Sequence, residues 1–161
     1  MRFLQRCRYV PCALLIGILG AHAAATAWQV QSVVDQTTQT KNCVLSSEVV
    51  TISDGYDQTQ VGLHLQRATL FVSTTSPLDA GFADLGLQVD RAAFLPGDKI
   101  LGQRTVIFET PYAAIIEQFR KGSQVRVQLR FWPTWPTTGP HNAIISLKGF
   151  RKAYEALLAC E

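Results

Sequence analysis

Long apolar runs are scarce in this sequence. The longest, "VPCALLIGILG", covers residues 10 to 20, about half of the roughly 20 residues that a membrane-spanning helix needs. Cysteines are few, four in 161 residues, and none has the C-x-x-C spacing of redox and zinc sites. No G-x-S-x-G elbow is present to present a nucleophilic serine. No glycine-rich phosphate cradle or dinucleotide fingerprint occurs. Beyond residue 27 the only histidines are His64 and His141, and neither has a cysteine or carboxylate two to four residues further on, as a metal motif would require. Asp54 and Asp57 in "DGYD" lack the alternation of oxygen ligands that a calcium loop needs, so the segment reads as a turn. Glu109, Glu117 and several aspartates are present, but no pair stands out as the two carboxylates of a glycosidase. These absences leave a hydrolase based on His64 or His141 as a minor alternative, and no cofactor or metal is expected.

What is present begins with an address. "MRFLQRCRY" carries Arg2, Arg6 and Arg8, the short apolar run follows, and "AHAAATA" supplies small residues. A basic start, a short apolar core and A-x-A sites describe a secretory signal peptide. Cleavage is expected after Ala23, Ala25 or Ala27. Residues 1–27 are therefore taken as leader and 28–161 as one domain, long enough for a real core and free of repeats and linkers. An uncleaved anchor is the alternative.

Losing the leader changes the electrostatics. The whole chain has 15 Lys+Arg and 12 Asp+Glu, and the leader removes three arginines, so the mature balance is 12 − 12 = 0. The high isoelectric point is no argument for nucleic-acid binding. Within that neutral total the charge is uneven. Trp28 to Asp98 has 3 basic and 8 acidic residues, while Lys99 to Glu161 has 9 basic and 4 acidic. Such asymmetry either orients a partner or lets two halves of one domain neutralise each other. Two cysteines survive, Cys43 and Cys160. In an oxidising compartment an even pair suggests a disulfide; the alternative is a reactive thiol.

The mature region reads mostly as strands. Trp28 and Val30 share one side of "WQVQSVV". "CVLSSEVVTIS" reads as one long strand. "VGLHLQ" alternates, placing Val61, Leu63 and Leu65 on one side and His64 on the solvent side. "ATLFVST", "LGLQVD", "RTVIFE" and "NAIISL" are further strands. In "LPGD", Pro96 and Gly97 suit a type II turn. "QVRVQLRFW" alternates most cleanly, with Val125, Val127, Leu129 and Phe131 inward and Arg126, Gln128, Arg130 and Trp132 outward.

Two segments look helical. "TPYAAIIEQFRKG" has Thr110 as N-cap, Pro111 at the first helical position and Gly122 at its end. "KGFRKAYEALLAC" places Phe150, Tyr154, Leu157 and Leu158 on one stripe. About eight strands with two short helices, one C-terminal, predict a mainly β, single-domain β-sandwich or open β-barrel.

"FRKGSQVRVQL" and "ISLKGFRKAYEAL" resemble the invasion-associated locus B family of exported bacterial proteins. The family pattern of a strand ending Ser-Leu-Lys-Gly-Phe, followed by a helix with an early alanine, falls here on Ser146, Leu147, Lys148, Gly149, Phe150 and Ala153. Trp28, Cys43 and the strand ending at Asp90 also fit. The resemblance spans most of the mature chain loosely and is most specific over the last forty or so residues. It implies an exported β-rich protein, periplasmic or associated with the outer membrane, in a family named for bacterial entry into host cells. It carries over no catalytic residues. Family cysteines are missing near Ser32 and before the first helix, which leaves Cys160 as the partner that the resemblance implies for Cys43.

Binding residues are more legible than catalytic ones. "RFWPTWPTTGPHN" places Trp132 and Trp135 on a proline-stiffened connection between two strands, with Arg126 and Arg130 on the same strand face as Trp132. Tryptophan and arginine dominate interface hot spots. Both tryptophans could instead fold back over the core. Lys148, Arg151 and Lys152 form a basic group at a helix start, where cations oppose the macrodipole, so helix stability does not explain them. The expected partners are an envelope or host protein, or an anionic lipid or glycan surface. A carrier holding a small hydrophobic ligand inside a barrel is the alternative.

Overall fold

A computed structural model describes residues 27–160 other than 35, 38 and 135–138. Residues 1–26 of the expected leader and Trp135 lie outside the described residues. Strands appear where apolar and polar residues alternate: β1 (Trp28–Val34), β2 (Lys41–Ser47), β3 (Val50–Ser53), β4 (Gln58–Gln66) and β5 (Thr69–Thr74). They continue with β6 (Gly86–Val89), β7 (Leu95–Pro96), β8 (Lys99–Leu101) and β9 (Thr105–Phe108). Helix α1 (Tyr112–Lys121) precedes β10 (Gln124–Leu129) and β11 (His141–Ser146), and α2 (Phe150–Cys160) is the last described element.

All pairings are antiparallel. One sheet has the order β1-β2-β4-β5-β9-β8, with β3 also on β4; the other has β11-β10-β6-β7. The two sheets stay open and pack as a sandwich. Leu63, Leu65, Val72, Phe108, Val127 and Leu129 fill the space between them and are almost fully buried. That filling removes the barrel interior which the carrier alternative required.

Several local expectations change for tertiary reasons. The long run after Cys43 is two strands, because six residues from Leu45 to Val50 face only five from Leu65 to Val61. The extra residue is a β-bulge. Gly97 makes no left-handed turn. It sits where the chain passes from β7 in one sheet to β8 in the other, and a Cβ there would lie 2.3 Å from Val106 Cγ1. Close approach, not turn geometry, demands glycine. Gly97→Ala is expected to cost about 1–3 kcal/mol through overpacking, read from the urea midpoint; an unchanged midpoint would show that Val106 yields freely. Gly122 is similar: it ends α1 in an extended conformation, and its Cβ would meet Val89 Cγ1 at 2.3 Å.

Pro111 occupies the N-cap of α1, and Thr110 makes no side-chain cap. Asp98 instead accepts hydrogen bonds from the backbone N–H groups of Glu109 and Thr110. In α2, Phe150, Tyr154 and Leu157 are buried, but Leu158 is 53% exposed. The buried stripe runs through Phe150, Ala153, Tyr154, Leu157 and Cys160, and Leu158 falls beyond it.

The helices meet β1 through an aromatic cluster. Trp28 packs edge-on to Phe119 and Phe150 at centroid distances of 6.2 and 5.0 Å, and its Nε1–H donates to the Ser146 carbonyl at 2.8 Å. A Cys43–Cys160 disulfide, with Cα atoms 6.1 Å apart, ties α2 to β2.

Candidate functional site

Among the described residues, the four-stranded sheet turns one face to the core and leaves the other uncovered. Along β10, Val125, Val127 and Leu129 are buried, while Arg126 is exposed and Gln128 half-buried. The outward row continues past the strand through Arg130 to Trp132, spanning about 20 Å at the usual rise per residue. Register places Ile144 and Gln88 on either side of Arg126, and Asn142 and Gly86 on either side of Gln128.

Trp132 is 64% exposed, which overturns the possibility that it plugs the core. Its backbone is nonetheless held. The N–H of Trp132 donates to the Pro77 carbonyl at 2.9 Å, the N–H of Asp79 donates to the Arg130 carbonyl at 2.9 Å, and Leu78 bridges Phe131. This extension of β10 stops where Pro133 has no N–H to give. The tryptophan therefore stands on a fixed platform. Exposed Phe82 and Phe94 flank the same face. Phe82 lies under the Arg130 guanidinium at 4.3 Å, and the Phe94 ring lies over Gly86.

The arginines differ in their commitments. Arg130 forms a two-pronged ion pair with Asp84 at 2.8–2.9 Å. The pair joins the acidic and basic halves of the chain and holds the Asp84 carboxyl below its usual range. Arg130 is thus a structural support for the face. Arg126 bonds the Gln88 side-chain carbonyl and stays exposed. Lys148, Arg151 and Lys152 are not part of this site. Ser146 pairs with Gln124, so the start of α2 lies at the end of β10 remote from Trp132. Seven predicted binding residues thus split into a sheet face (Arg126, Arg130 and Trp132), a separate basic pole, and Trp135, which lies outside the described residues.

A cleft of about 270 Å³ opens beside Trp132, lined by Asp54, Tyr56, Arg130, Phe131, Thr134 and His141. Burial works against the Asp54 charge, but the Ser76 hydroxyl, the N–H groups of Asp57 and Tyr56, and nearby His141 together hold its pKa low. The "DGYD" turn is therefore built by Asp54, as read from the sequence, and it forms one wall of this cleft. Tyr56 reaches across to the Pro133 carbonyl at 3.3 Å. Phe82, Phe94 and Tyr56 were missed as site residues; their signal, isolated aromatics in loops, becomes meaningful only once the chain folds.

His64 is half-buried rather than solvent-facing. Its Nδ1 lies 2.9 Å from Ser46 Oγ and its Nε2 2.9 Å from Ser73 Oγ. A hydroxyl therefore occupies the place that a carboxylate holds in a catalytic triad. Burial pushes the imidazole pKa below its ordinary value. A depressed histidine pKa means that the unfolded chain binds the proton more readily. Stability should be complete above the ordinary value of about 6.5 and fall as pH drops through it toward the lower folded value. NMR titration of the His64 ring should show that low pKa; a value at or above the ordinary one would contradict it. Among the described residues no three His, Cys, Asp or Glu side chains converge as a metal site, and no helix is long and apolar enough to cross a membrane.

No family model and no curated protein matches the sequence. Among solved structures, invasion associated protein B from Bartonella henselae superposes with a TM-score of 0.53 at 15% identity, covering 83% of this chain and 92% of that one. That likeness establishes a similar fold. The neighbour bears the name of the family that residues 146–153 resemble.

Proposed function

We propose that this chain is an exported, non-enzymatic binding protein of the bacterial envelope, acting in the periplasm or at the outer membrane, and that the open face of its four-stranded sheet receives a partner protein from the envelope or the host. The carrying observation is the concentration of exposed large side chains there. Trp132, Phe82, Phe94 and Ile144 all lie on or beside a face that no helix among the described residues covers. Aromatic anchors with a nearby arginine, ringed by amides, have the composition of an interface centre. The fold likeness, the disulfide and the basic-apolar-small leader support export.

The test is photo-crosslinking in living cells with a reactive group replacing Trp132. Leu101, an exposed apolar residue of β8 in the other sheet, is the control position. A discrete protein adduct at Trp132 and none at Leu101 is expected. No adduct, or the same adducts at both positions from a folded and exported variant, would remove the sheet face as the binding site.

A further inference from the structure

The opposite pole of the molecule carries a second surface, independent of the sheet face. β1 ends the order of the seven-stranded sheet, so alternate N–H and C=O groups along its outer edge meet no strand among the described residues. Natural edge strands are usually blunted by charge, proline, a bulge or shortness. β1 has none of these. "WQVQSVV" is uncharged and proline-free, runs seven residues, and pairs with β2 in unbroken register from Trp28–Ser47 to Val34–Lys41.

Helix α2 runs beside this strand. Between them lies a groove of about 430 Å³, with Trp28 and Val30 on the strand side and Lys152, Ala153 and Ala156 on the helix side. The small alanines keep the helix wall shallow. Arg151 and Lys152 lie in the first turn of α2 and Lys148 two residues before it, and that turn has no acidic residue to offset them. Among the described residues Lys148 and Lys152 have no carboxylate partner, and Arg151 spends its donor on the Arg120 carbonyl. Glu155, one turn further on, forms no ion pair with them. The helix macrodipole is unfavourable to cations at this position. Unpaired cations, an apolar groove and a bare strand edge therefore coincide at one end of the fold.

We propose that this groove is a strand-addition site, in which an extended acidic segment of a partner protein pairs with the free edge of β1, sets alternate apolar side chains into the groove and directs carboxylates at Lys148 and Lys152. Backbone pairing supplies general affinity in this mode, and the side-chain groove supplies selection. Charge complementarity decides for an acidic occupant over a second copy of this chain, whose own β1 is uncharged.

The probe is a capped eight-residue peptide, five residues of alternating valine and threonine followed by three glutamates, so that an antiparallel strand sets its valines in the groove and brings its acidic end to the start of α2; it is titrated into the folded, disulfide-intact protein and followed by amide NMR. Alternate β1 amides should shift and gain exchange protection. N-methylation at alternate peptide positions should abolish binding. Lys148→Glu with Lys152→Glu, both exposed, should weaken it at least tenfold, and Ala156→Trp should block the groove. Trp132→Ala should leave it unchanged. Absence of β1 shifts, or equal binding of the N-methylated peptide, would overturn the proposal. Lysine-dependent binding to phosphatidylglycerol vesicles without peptide binding would also overturn it, making the basic pole a membrane contact instead. Should Ala156→Trp fail to fold, the lysine pair and the N-methylated peptide still decide the question.

Discussion

Replacing Trp28 by alanine is expected to destabilise the domain by about 3–5 kcal/mol, the range for truncating a buried tryptophan. The side chain is 2% exposed and joins three elements distant in sequence: β1, which carries it, α1 through Phe119, and α2 through Phe150. Alanine would remove both edge-to-face contacts and leave a cavity at their junction. It would also strip the half-buried Ser146 carbonyl of the Nε1–H donor at 2.8 Å, a further loss of about 1 kcal/mol, partly included in the total. A domain of this size has only about 5–15 kcal/mol to lose. Trp28→Phe separates the contributions, since it keeps ring packing but loses the donor, and should cost clearly less. Urea denaturation of the two variants measures the difference. A loss below about 1 kcal/mol for the alanine variant would mean that the aromatic cluster does not hold the helices to the sheet.

Breaking the Cys43–Cys160 bridge should have an effect of similar size by a different route. The bond closes a loop with a sequence separation of 117. Constraining so long a loop in the unfolded chain stabilises the fold by about 4–5 kcal/mol in the chain-entropy account. Cys160→Ala is the cleaner variant, because Cys160 is half-buried near the chain end, whereas Cys43 is 2% exposed in the core. The leftover Cys43 thiol behaves as a small buried hydrophobe. At roughly 2–4 °C per kcal/mol for a domain near this size, the melting temperature should fall by about 10–20 °C. Reduction of the unmutated protein should reproduce the shift. Coincident melting of oxidised and reduced protein would show that the bridge contributes little, and thiol counting on protein from thiol-blocked cells would show whether it forms in the native compartment.

The two predictions rest on features of different legibility. The cysteine pair could be anticipated by counting, since only two cysteines follow residue 27. The role of Trp28 could be read only in part: alternation put it on one side of a strand with Val30, but Phe119 and Phe150 lie 91 and 122 residues away along the chain. Strand periodicity is a local property, set by the two-residue repeat of the pleat. For that reason the inward set Val125, Val127, Leu129 and Phe131 was legible residue by residue, and so was the outward position of Arg126. The turn at "DGYD" was legible too, because Asp54 bonds its own neighbours, Tyr56 and Asp57.

Whatever depends on pairing at a distance was not legible. The bulge after Ser47 exists because β2 and β3 share one partner strand. Gly97 is required because Val106, on another strand, stands where a side chain would go. Trp132 stays exposed on a fixed support because Pro77 and Asp79 bond the backbone beside it, and Arg130 is withdrawn from the binding row because Asp84 lies within reach. The sequence by itself determined a leader-like start, a mainly β domain with two helices, the inward residues of its clearest strands and the absence of standard catalytic motifs. Among the described residues, the tertiary structure decided that the sheets stay open, which face is left bare, and that six of the seven candidate binding residues belong to two separate surfaces. Local periodicity fixes which way a side chain points, whereas the neighbour it meets depends on long-range packing and on the distant backbone that pairs with its own.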